Sequence, residues 1–167
     1  MKKFITAIAL VFSTLAGAAH AEVDMHRIHA HKYWAVDFVT SDIGDWCSAA
    51  SHKNDGTSVA ISSKGEGVDI QIYTPSQRWK RSTGSFGFQI DKRTAWRTEN
   101  AIYDNNSIFV DNVKWDVVKQ LANGNALHLY NWRGEYVESF SLAGSKSALI
   151  ALGNCVSKLS NTSSARY

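Results

Sequence analysis

The chain has 167 residues, a formal net charge of +3, six tryptophans and a single proline, Pro75. Its aromatic and apolar content excludes a disordered or low-complexity chain. Its near-neutral balance gives no electrostatic ground for binding nucleic acid or a membrane surface.

Residues 1–21 read as a secretory signal peptide. Lys2 and Lys3 supply a positive start, Phe4 to Leu15 an apolar stretch, and Ala19-His20-Ala21 a small-x-small site with cleavage expected after Ala21. The apolar stretch is too short to span a bilayer, which takes about 20 residues, and no later stretch is longer. Without this leader 16 basic residues face 15 acidic ones. The Met-Lys-Lys opening points to a bacterial source, and hence to a periplasmic or secreted protein. Residues 22–32 are polar and read as a flexible N-terminal arm. Residues 33–158 have the length of one globular domain, and residues 159–167 read as a flexible tail.

Within the domain, Tyr33 to Thr40 is rich in strand formers, with Trp34, Val36 and Phe38 alternating toward one core. Ser41 to Gly44 reads as a turn and Trp46 to Ala49 as a short strand. The strongest β signal follows. Val59 and Ile61 form one apolar face, Lys64 to Gly67 turns the chain, and Val68, Ile70 and Ile72 alternate with polar neighbours, as in a half-buried hairpin. Phe86, Phe88 and Ile90 repeat the pattern before a turn at Asp91 to Arg93. Ile108 to Val110 is a further short strand. The period then changes: Val113, Val117, Val118 and Leu121 share a helical face, with Asp111 or Asn112 as the start cap and Asn123-Gly124 as the stop. A strand at Leu127 to Tyr130, a turn at Arg133 to Glu135 and a strand from Tyr136 follow. A second helix opens at Gly144-Ser145 with Ala148, Leu149, Leu152 and Val156 inward. The expected fold is α+β and mostly β: an antiparallel sandwich or partly closed barrel with two short helices in its C-terminal third.

Cys47 and Cys155 are the two cysteines. In an oxidising compartment they are expected to pair, tying an inward face of the last helix to a core strand.

From the first helix onward the order is helix, Ala126-Leu127-His128-Leu129-Tyr130, hairpin, Phe140-Ser141-Leu142-Ala143-Gly144-Ser145, then a helix with Ala148-Leu149 and Cys155. This order resembles the end of bacterial secreted proteins of the invasion-associated locus B type. The resemblance covers residues 113–155, and its elements are structural. It implies an exported β-rich domain with a host-interaction role and no catalytic residues to transfer.

The chemistry-bearing residues fall in three groups. Arg78-Trp79-Lys80-Arg81 reads as a basic, aromatic loop able to grip an anionic or acidic partner. Trp115 lies off its helix's apolar stripe and is expected to be exposed, as a second contact. Trp96, Tyr103, Tyr130 and Trp132 either line a sugar-stacking face with it or fill the core. His26, His29 and His31 form a weak metal-ligand pattern, with no further ligand signalled. No nucleophile motif and no marked carboxylate pair stands out, so no cofactor and no catalytic residue is expected. The leading reading is an exported, disulfide-stabilised binding protein for a host, envelope or secreted-enzyme protein, or for an envelope glycan. The alternatives are a small periplasmic hydrolase acting on envelope polymers and an envelope-stabilising glycan-binding module.

Overall fold

A computed structural model describes residues 23–65 and 67–164; the leader expected over residues 1–21, with its expected cleavage after Ala21, lies outside them. Ten strands and two helices follow in chain order: β1 (Asp24–His31), β2 (Trp34–Thr40), β3 (Trp46–His52), β4 (Ser58–Ser63), β5 (Val68–Tyr73), β6 (Trp79–Ile90), β7 (Trp96–Asn105), β8 (Ser107–Val113), α1 (Trp115–Ala122), β9 (Ala126–Tyr130), β10 (Tyr136–Ser141) and α2 (Ser145–Ser164). The strands form one antiparallel sheet in the order β1-β2-β3-β4-β5-β8-β7-β6-β9-β10. The sheet curls into a half-barrel, in agreement with the expected class.

Alternation builds the inner face. Val59, Ile61, Val68, Ile70 and Ile72 are all buried, and the β4–β5 register places Val59 opposite Ile72 and Ile61 opposite Ile70. Phe86, Phe88 and Ile90 continue this core along β6. Two contacts draw the curl together. The Trp34 indole at the start of β2 donates to the Ser141 carbonyl at the end of β10, at 3.2 Å. Lys53, just after β3, meets Glu138 on β10 at 2.9 Å. Helix α2 packs against β1, β2, β3 and α1, burying Ala148, Leu149, Leu152 and Val156. Cys155 on that helix is bonded to Cys47 on β3. Ser145 Oγ donates to the Leu121 carbonyl at 2.9 Å, fixing the start of α2 to the end of α1. Gly144, at φ +98°, lets this junction approach the β1–β2 turn; a Cβ there would sit 2.5 Å from the His31 carbonyl oxygen.

Four expectations are corrected. The arm expected over residues 22–32 is, from Asp24 to His31, an edge strand paired with β2 along its length. Its main-chain bonds and the Arg27–Asp37 ion pair hold it, so no apolar alternation was needed. The tail expected from residue 159 is helical as far as Ser164. The first helix starts after Lys114, so Val113 ends β8 and neither Asp111 nor Asn112 is its cap. Trp115 is half-buried and packed on the core rather than exposed.

The β6–β7 turn carries a pH-dependent device. Asp91 adopts φ 54° and accepts from the backbone N–H groups of Ala126 at 2.9 Å and Asn125 at 3.0 Å. These donors favour the charged form and hold its carboxyl below the ordinary value of 3.8. The stabilisation is therefore complete above that value and is lost as the pH falls through the lower folded one. Asp91→Asn keeps an acceptor oxygen and tolerates the left-handed backbone. Denaturant midpoints measured against pH are expected to fall less steeply on the acid side for this variant than for the parent chain.

Candidate functional site

The segment expected to be a loop at Arg78–Arg81 is mostly sheet. Asn106 fixes its approach: its side-chain amide donates to the carbonyls of Pro75 at 3.1 Å and Gln77 at 2.6 Å. Strand β6 then begins at Trp79, opposite Asn105 on β7. Arg78, Lys80 and Arg81 remain exposed, whereas Trp79 is half-buried and packs against the core. Its indole N–H is buried without a hydrogen-bond partner among the described residues. Trp79 is therefore an underlying support rather than a free anchor.

The exposed ring beside Trp79 is Trp132, 42% accessible in the β9–β10 turn. Three rings meet edge to face: Trp79 and Tyr103 with centroids 5.4 Å apart, Trp79 and Trp132 at 5.9 Å, and Tyr103 and Trp132 at 5.1 Å. Such edge contacts suit the aromatic quadrupole and fix ring orientation. The Arg133 guanidinium lies 5.5 Å from the Trp132 ring centre. Arg97 donates to the Trp132 carbonyl at 2.9 Å and to Ser85 Oγ at 2.8 Å.

The turn bearing Trp132 is held from within. Asn131 Oδ1 accepts from the backbone N–H groups of Arg133 at 2.9 Å and Glu135 at 3.0 Å. The Asn131 amide also donates to the Glu135 carboxylate at 2.8 Å, and Gly134 supplies a φ of +78°. Below it the Tyr103 hydroxyl donates to the Ser85 carbonyl at 2.7 Å. Burial pushes this phenol up to about 12, so it stays protonated at neutral pH. The arrangement is an ordered aromatic surface with guanidinium groups beside it, suited to contact rather than to proton transfer near neutrality.

The other candidates are not gathered here. Trp115 opens α1 and makes no ring contact with this cluster. Trp96 is half-buried against the core, and Tyr130 packs on Tyr136, so the five aromatics do not form one stacking face. His26 and His31 are exposed, while His29 Nε2 is 2.9 Å from Ser147 Oγ. Among the described residues no three His, Cys, Asp or Glu side chains converge as metal ligands. Sequence reasoning missed Arg97 and Arg133. Their signal was adjacency to aromatic residues, as in Trp96-Arg97 and Trp132-Arg133, the same pairing that singled out Arg78-Trp79.

Comparison of the chain with family models, curated proteins and solved structures gives no match.

Proposed function

We propose that this chain is an exported, disulfide-stabilised bacterial binding protein of the periplasm or cell exterior, which docks an acidic surface of a partner protein against Trp132. The observation that carries the reading is Trp132 itself: exposed, yet held by two aromatic edges and beside two arginines. Tryptophan and arginine dominate binding hot spots, and a pre-ordered side chain loses little freedom on docking. Arg133, Lys80 and Arg81 give the charge that draws an acidic partner in. Three further points support export: the leader-like residues 1–21, the Cys47–Cys155 bond, and the resemblance of residues 113–155 to the invasion-associated type. No helix among the described residues is long and apolar enough to cross a membrane.

The test is affinity capture from envelope and host extracts with the folded protein and two variants. Trp132→Ala is expected to lower the unfolding midpoint through its two lost ring contacts while leaving the chain folded at the assay temperature, and to weaken capture by about 2 kcal/mol. Neutralising Lys80 and Arg81 is expected mainly to slow association and flatten its salt dependence. Capture unaffected by Trp132→Ala removes the site; capture of a polysaccharide in place of a protein supports the glycan-binding reading instead.

A further inference from the structure

A cavity of about 790 Å³ lies away from the aromatic cluster, between α2, the β1–β2 hairpin and the β2–β3 loop. Ligand sites occupy about 300–1,000 Å³ and combine an apolar body with few polar groups. Here Ile28, Phe38, Ala151 and Leu159 supply the apolar lining, and Asp42, Asp45, Lys64 and Lys158 the charges. Two local features shape this groove at the edge of the core. The register between β1 and β2 slips between Arg27 and His29, leaving Ile28 as the extra residue of a bulge; bulges re-aim side chains and gather near sites. Helix α2 carries a second face: Ala151, Cys155, Lys158 and Leu159 line the groove, while Ala148, Leu152 and Val156 seal the sheet. The Cys47–Cys155 bond pins that helix in place, so the groove is preformed.

Its charges are of both signs. Asp42 and Asp45 sit in the β2–β3 loop, where Ser41 Oγ donates to the Gly44 carbonyl at 3.1 Å and orders the turn. Neither carboxylate has an ion-pair partner among the described residues. Lys64, from the β4–β5 turn, has its ammonium 5.6 Å from the Trp46 ring centre and no carboxylate partner among them. A purely anionic ligand would meet the two aspartates, and a purely cationic one the lysines. We infer that the groove binds a single-chain zwitterionic phospholipid, its acyl chain along α2, its ammonium at Asp42 and Asp45 and its phosphate at Lys64.

The experiment is calorimetric titration of the folded, disulfide-bonded protein with a lysophosphatidylethanolamine kept below its micelle concentration. Parallel titrations use the matching fatty acid, the matching alkyltrimethylammonium and glycerophosphoethanolamine without a chain. Saturable one-site binding of the lysolipid is expected, with each single-charge amphiphile at least about tenfold weaker and the bare headgroup silent. The double variant Asp42→Asn/Asp45→Asn is expected to weaken the lysolipid by about tenfold or more, and Ala151→Trp, which fills the groove, to abolish binding while circular dichroism stays native. Absence of saturation, equal affinity for all three head types, or an unaltered isotherm for the aspartate variant overturns the proposal. If Ala151→Trp does not fold, the aspartate variant and the headgroup series decide. Trp132→Ala is expected to leave every titration unchanged, so this groove and the protein-docking surface stand or fall separately.

Discussion

Replacing Cys47 and Cys155 together by Ser is expected to lower the free energy of unfolding by about 2–5 kcal/mol. The bond joins residues 108 positions apart. In the chain-entropy account a closure of that size removes about 4.7 kcal/mol worth of freedom from the unfolded chain. The folded side adds its own term, because Cys47 is fully buried and Cys155 nearly so; two hydroxyls in their place would need partners that the apolar surroundings do not supply. Urea denaturation of the variant against the oxidised parent measures the effect. Thiol titration of the unfolded, unreduced parent is expected to find no reactive group from this pair, and two thiols per chain would contradict the bond.

Trp34→Ala is expected to cost about 3–5 kcal/mol, the usual range for emptying a buried tryptophan site. Trp34 is 1% exposed and among the largest fully buried side chains. It fills the core and also, through its indole N–H, holds the end of β10 to the start of β2. Trp34→Phe separates the two roles. It keeps most of the ring volume and loses the hydrogen bond, so a loss of about 1 kcal/mol is expected. Equal midpoints for Trp34→Phe and the parent chain would show that the bond to Ser141 does not hold the curl.

Where one sheet face is buried and the other solvated, the sequence was readable. Val68, Ile70 and Ile72 alternate with exposed Asp69, Gln71 and Tyr73, and the β4–β5 hairpin follows from that alone. Strand β1 could not be found this way, because all its residues except His29 are exposed and its pairing rests on the main chain. Strand β6 was readable only from Phe86, since register slips between Trp79 and Ser82 and again between Gly84 and Phe86 reset the alternation. Val113 fell four residues before Val117 and so mimicked a helical face, although it closes β8. The candidate site suffered most. Trp79, Tyr103 and Trp132 meet because β6 lies between β7 and β9, and nothing local to any of the three announces that order. The residue types were legible as a basic and aromatic group; which tryptophan faces outward was not.

The last element of the chain covers the first ones. Strands β1 to β4 each pair with the next in sequence, so this half of the sheet forms by short-range zippering, which is fast because little loop entropy opposes it. Its inner face over β1 to β3, with Val36 and Ala49, packs against α2, which comes from much later in the chain. In the interval before α2 docks, then, the N-terminal half can hold its strands while carrying an open, adhesive surface. That interval, rather than the finished domain, is the stage at which this chain most needs to be kept from its neighbours.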